Sequence, residues 1–348
     1  MVTRNIKLVA QGQADATYAD NQKKNPFRLS SAILGGAQYN PAVLALRNLG
    51  VQARAPPPPV YGENWTLTSA PGAFWDGVAM SSDGQYQSAV VYDGGLYRST
   101  DFGVTWIKTS APDAQWYGVA MSSDGQYQTA VVGNGGIYRS TNFGLNWIKT
   151  SAPDAQWDGV AMSSNGRYQS AVVYDGGIYR STDFGVNWIK TSAPDAPWYG
   201  VAMSSNGQFQ TAIAVFVSGG LYRSMDFGVT WIKTSAPDAY WYSVAMSSNG
   251  QYQTAIVYGG GIYRSIDAGV TWIKTSAPDA QWYGVAMSSD GQYQTAVVYD
   301  GGIYRSIDAG VNWIKTSAPN TYWYGVAMSS TGQFQTALVY EIGIYTSP

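Results

Sequence analysis

The string Val-Ala-Met-Ser-Ser, or a close copy, recurs seven times, with methionines at 80, 121, 162, 203, 246, 287 and 328 and spacings of 41, 41, 41, 43, 41 and 41 residues. This repeat constrains the fold more than any other feature of the chain. A unit of this size cannot bury its own apolar face and must stack against copies of itself. The 14 tryptophans divide into two per unit. One set is Trp75, Trp116, Trp157, Trp198, Trp241, Trp282 and Trp323; the other is Trp65, Trp106, Trp147, Trp188, Trp231, Trp272 and Trp313.

Each unit reads as four short strands. The first is WYGVAMSS, followed by an Asp-Gly or Asn-Gly pair such as Asp83-Gly84 or Asn165-Gly166. That pair predicts a two-residue type I′ hairpin, in which both central residues need positive φ. The second strand is QYQTAVVY, the third GIYRS after a Gly-Gly turn, and the fourth TWIKTS after a longer turn. Proline breaks the chain before the next unit, and no segment has helical periodicity. Four strands per unit at this period predict an all-β, seven-bladed β-propeller. The seventh unit ends at IGIYTSP without a fourth strand, and an orphan copy of that strand, ENWTLTSAP, precedes the first unit. The N-terminal strand should therefore complete blade seven and close the ring, which hides two edges open to aggregation.

The turn between the third and fourth strands reads Ser99-Thr100-Asp101-Phe102-Gly103-Val104-Thr105-Trp106. It resembles the Asp box, S-x-D-x-G-x-x-W, of sialidase-type (BNR-repeat) propellers. Copies centre on Asp101, Asn142, Asp183, Asp226, Asp267 and Asp308. The resemblance covers about residues 62–348 and bears on architecture, because Asp-box propellers include sialidases, glucan hydrolases, sorting receptors and photosystem II assembly factors. The last group, also tending to seven blades, is closest in outline. The boxed Asp is expected to be structural, its carboxylate accepting backbone N–H bonds within the turn. Glycine there permits a left-handed backbone, and the box tryptophan is expected to fill space between blades.

The first 60 residues carry no repeat. They hold seven Lys/Arg against two Asp, whereas the remainder holds 13 basic and 20 acidic residues. A basic arm (1–60) thus precedes an acidic propeller (61–348). Asn40 to Gly50 predicts one short helix, with Asn as N-cap, Pro41 at the first helical position and Gly50 just beyond the end. Pro56 to Pro59 predict a stiff polyproline spacer. Lys23, Lys24 and Arg28, with the apolar Val43, Leu44, Leu46 and Leu49, are the candidate docking residues. The expected partner is another protein subunit rather than nucleic acid. A virion or another large particle would suit such an arm on a chain that shows no secretory signal and no apolar run long enough for a membrane span.

Composition argues against catalysis. There is no Cys, no His and only two Glu, Glu63 and Glu341. Cysteine nucleophiles, thiolate zinc sites and the commonest general base are excluded. A sialidase needs converging arginines, but Arg98, Arg139, Arg180, Arg223, Arg264 and Arg305 share one repeat position and should be spread around the ring. Asp101-Phe102-Gly103 matches a kinase metal-binding tripeptide but lacks the accompanying His-Arg-Asp loop, and Asn64-Trp65-Thr66 is an isolated glycosylation sequon. No catalytic residue, metal or cofactor is expected. The candidate ligand face is the loop cluster before the first strands and after the second, with Tyr117, Tyr199, Tyr242, Tyr283 and Tyr324 near aspartates. Tyrosine with aspartate suits sugars, so a multivalent lectin is the alternative to an interaction scaffold, and a two-carboxylate glycosidase the second alternative.

Overall fold

The computed structural model describes residues 60–215 and 219–348. The expected arm, helix and polyproline spacer lie outside the described residues.

Seven four-stranded antiparallel blades follow one another. In the first, Trp75–Met80 pairs with Gln87–Val91, which pairs with Leu96–Ser99, which pairs with Ile107–Lys108. The second strand is buried along its whole length, as in Gln128–Val132, because it is covered on both faces by neighbouring blades. The fourth is only two residues long and exposed, as in Ile148–Lys149. Short edges of this kind limit strand addition by other chains.

The interblade core is built mainly by the tryptophan that opens each first strand. Trp75 packs with Leu338 and Ile344 of blade seven, and Trp198 with Val172 and Ile178 of blade three. These indoles are at most 1% exposed. The box tryptophans sit outside them, as in Trp106 against Trp75 at 6.4 Å, with the indole N–H donated to Gly103 C=O at 2.8 Å. The role of interblade filler expected of the box tryptophan therefore belongs first to the other set.

Two closed cycles of hydrogen bonds tie the blades together. Ser82 N–H donates to Ser123 C=O, and the same bond repeats from blade to blade until Ser330 N–H donates to Ser82 C=O, each at 2.8 Å. A buried side-chain cycle runs in parallel. The Thr129 hydroxyl donates to Gln169 Oε1 at 2.7 Å, and the cycle closes where the Thr336 hydroxyl donates to Gln87 Oε1 at 2.6 Å. Each of these glutamines also donates to the carbonyl of its own turn glycine, as Gln169 does to Gly166 at 2.9 Å. A buried glutamine is tolerable only with both ends satisfied. No buried side-chain polar atom among the described residues lacks a partner.

The ring closes as the sequence predicts. Thr66–Leu67 pairs antiparallel with Gly343–Ser347, Thr66 opposite Thr346 and Leu67 opposite Tyr345. The N-terminal segment also supplies the second half of the box for blade seven. Gly62, at φ 71°, lies against Gln335, and Trp65 donates its indole N–H to Gly62 C=O at 3.0 Å. Glu63 adds an ion pair with Arg305 at 3.0 Å. Blade seven therefore carries only the Gly-x-x-Trp half of the box, at Gly62 and Trp65, without the central aspartate.

The Asp-Gly turns differ from the predicted hairpin. Ser81 N–H donates to Tyr86 C=O across a four-residue loop, and only Gly84 is left-handed, at φ 81°. The Asp83 carboxylate accepts from the Ser81 hydroxyl and the Gln85 N–H at 2.6 and 3.0 Å. This side-chain turn removes the need for a left-handed aspartate and favours the longer loop.

Candidate functional site

The inner strands line a central channel, and one mouth of it concentrates the chemistry. In every blade the register slips between the opening tryptophan and the residue two places on, for example between Trp75 and Gly77 or Trp116 and Gly118. The residue between them is a β-bulge residue, a position that commonly re-aims a side chain. In six blades the next residue is glycine (Ser243 in the fifth), which lets the blades approach, since a Cβ at Gly77 would lie 3.2 Å from Gly118 Cα. The seven bulge residues, in ring order, are Asp76, Tyr117, Asp158, Tyr199, Tyr242, Tyr283 and Tyr324. All line one cavity of about 240 Å³, and no Lys or Arg is among its lining residues.

The structure thus brings together all five tyrosines proposed from the sequence, on channel-facing bulges rather than on surface loops. It adds Asp76 and Asp158, which sequence reasoning missed. Their signal was available in the aligned repeats: in a column that otherwise holds Tyr, two blades carry Asp.

The ring is lopsided. Tyr199, Tyr242, Tyr283 and Tyr324 form a continuous run with centroid separations of 4.7, 4.5 and 5.1 Å. Tyr242 lies in the middle of this run, with its ring against those of both Tyr199 and Tyr283. Tyr117 instead packs on Tyr92, edge-on at 5.5 Å. Burial raises the pKa of all five phenols, so they stay neutral at physiological pH. A second layer widens the aromatic surface: Tyr299 stacks on Tyr283 at 4.6 Å, Tyr322 packs on Tyr299 at 5.0 Å, and Phe74 on Tyr340 at 4.8 Å.

Asp76 and Asp158 flank Tyr117 on the other side of the ring. Neither has a hydrogen bond or ion pair among the described residues. Burial pushes Asp158 up to about 7. Asp76 is raised well above its ordinary value by burial and then by repulsion from Asp158.

The other mouth is built from the ends of the same strands. Met80, Met121 and their equivalents, with serines of the backbone cycle, line a cavity of about 250 Å³. The box aspartates lie away from both mouths, in the outer turns. Asp101 accepts from the Thr105 N–H and hydroxyl at 2.9 and 2.6 Å and from the Ser99 hydroxyl at 2.8 Å. Burial pulls its pKa upward, but these bonds outweigh it and hold the carboxyl below its usual range. Asn142, Asp183, Asp226, Asp267 and Asp308 accept the matching backbone N–H bond. The six arginines occupy one register in six blades, and none lines either mouth. Among the described residues no group of three or more potential metal ligands occurs, and no helix is long and apolar enough to cross a membrane.

No protein-family model matches the sequence, and no curated protein matches it. Similar solved structures are numerous. YCF48 from Cyanidioschyzon merolae superposes with a TM-score of 0.65 at 17% identity, covering 81% of this chain and 98% of that one. A structure of YCF48 bound to D1 peptide gives 0.66 at 15% identity, with 83% and 97% covered. The GH74 xyloglucanase from Xanthomonas campestris gives 0.66 at 17% identity over 82% of this chain but only 53% of its own, so this chain spans about half of that enzyme. The chain has the all-β propeller fold that these proteins share, built here from seven blades.

Proposed function

We propose that this protein is a non-enzymatic interaction propeller that binds a partner at the tyrosine–aspartate mouth and is held in a larger assembly, such as a virion or other large particle, by its first 60 residues. One observation carries the reading. The blades are near copies, yet the bulge position departs from the repeat by putting a carboxyl group in two of them, and all seven bulge residues meet in one cavity. A scaffold alone gives no reason for two unpartnered carboxylates there. The surrounding Phe74, Tyr240, Tyr258 and Tyr322 are exposed, and aromatic side chains of this kind suit a protein interface. The peptide complex of the similar propeller YCF48 agrees with this role. The basic excess of residues 1–60, including Lys23, Lys24 and Arg28, supports their use as the anchor.

The test is selection of a displayed random-peptide library on the full chain and on a Tyr258→Ser/Tyr322→Ser variant. Peptides enriched on the first and lost on the second support the reading; enrichment that ignores the substitutions, or none at all, overturns it. A glycan array on the same pair tests the lectin alternative. The glycosidase alternative rests on Asp76 and Asp158, since two carboxyls of unequal acidity are the usual machinery for glycoside cleavage. Turnover of xyloglucan or chromogenic glycosides, lost in Asp158→Asn, would establish it.

A further inference from the structure

We propose that the tyrosine–aspartate mouth takes a single organic cation, a guanidinium or alkylammonium group. On the interaction reading above, on which this step rests, an arginine or lysine side chain of the partner polypeptide supplies it.

The argument is one of complementarity. Asp76 and Asp158 are aimed into the cavity by the bulges, and no residue of the described chain pairs with either. Carboxylates enclosed by protein are costly unless a cation or a set of donors answers them. The rest of the lining offers tyrosine faces, which attract cations through the ring quadrupole. The quartet packs ring against ring, and an anion at this mouth would meet two acidic side chains. A metal ion is poorly served, since two carboxylates with no third acidic or imidazole ligand leave most of its coordination sphere to water. Aspartate is also shorter than tyrosine, which leaves more room at Asp76 and Asp158 than a tyrosine in either place would. A planar or compact cation in that room would face the two acidic side chains, with tyrosines lining the rest of the mouth.

The experiment is calorimetric titration of the full chain with N-acetylarginine amide and N-acetyllysine amide, against N-acetylcitrulline amide as the neutral isostere of arginine. The cationic amides should saturate with millimolar affinity and bind at least tenfold tighter than the citrulline compound. The Asp76→Asn/Asp158→Asn variant should lose at least tenfold in affinity for the cations. Asp300→Asn, which removes a carboxylate outside the cavity lining, should change it less than twofold. Equal binding of arginine and citrulline amides, or cation binding that survives the double substitution, overturns the proposal. Displayed peptides that bind the mouth without needing Lys or Arg would overturn the cation site while leaving the interaction reading intact. Arginine amide binding with no enriched peptide would do the reverse.

Discussion

Replacing Asp158 by asparagine should stabilise the propeller, and by an amount that depends on pH. The carboxyl titrates at about 7 in the folded protein against 3.8 for a free aspartate, because burial penalises its charge. A carboxyl with a raised folded pKa favours the folded state at low pH. That advantage is lost as pH rises from 3.8 through about 7. A shift of about three units corresponds to about 4 kcal/mol, and water in the channel mouth lowers the expected effect to about 2–4 kcal/mol. Urea unfolding of the two proteins, followed by tryptophan fluorescence, measures it. At pH 8 the variant should be more stable by that amount; at pH 4 the two should nearly coincide. A gain equal at both pH values, or no gain at pH 8, would refute the assignment of an ionised, unpaired carboxylate to this mouth.

Deleting residues 1–70 should strip the closing strand and half-box from blade seven and cause aggregation or a sharp loss of stability, whereas deleting 1–55 should leave a soluble propeller; a stable, monomeric 71–348 fragment would contradict the closure. Gln169→Leu should cost about 2–4 kcal/mol, because it leaves the Thr129 hydroxyl and the Gly166 carbonyl without their partner; denaturation midpoints at constant slope check it. Asp183→Ala should cost about 1–2 kcal/mol at pH 7 and progressively less as pH falls below 3.8 through the lowered pKa of the box carboxyl, whose stabilising bonds require the charged form. Charge reversal at Lys23, Lys24 and Arg28 should weaken incorporation into the parent assembly more at low salt than at high salt; salt-independent incorporation would rule out electrostatic anchoring.

The architecture was legible because it rests on repetition. Trp, Gly and Asp at fixed offsets recur often enough to reveal strands, turns and the missing fourth strand. The site was legible only in part, since the same repetition hid it. Tyr117 and its equivalents look like loop residues until the slip between Trp116 and Gly118 turns them into the channel, and a bulge leaves no composition signal. Asp76 and Asp158 read as further turn aspartates until the column is followed around the ring. The Asp-Gly turns misled for a local reason: the Asp83 side chain closes the loop that the dipeptide rule assigns to the backbone.

The closing strand has a consequence for synthesis. Thr66–Leu67 leaves the ribosome nearly the whole length of the propeller before its partner Gly343–Ser347 exists. Blades one to six each carry their own fourth strand and can assemble in order as they emerge. The segment around Trp65 must meanwhile remain uncommitted. Its own edge matches the third strand of any unfinished copy, so two nascent chains on one message could complete each other's seventh blade. The Glu63–Arg305 ion pair joins this segment to blade six as well as blade seven, and so selects the docking position by two neighbouring blades rather than one strand edge. Last-step closure makes the yield of monomer a race between a single intramolecular docking event and its intermolecular counterpart, a race that dilution and slow translation favour differently.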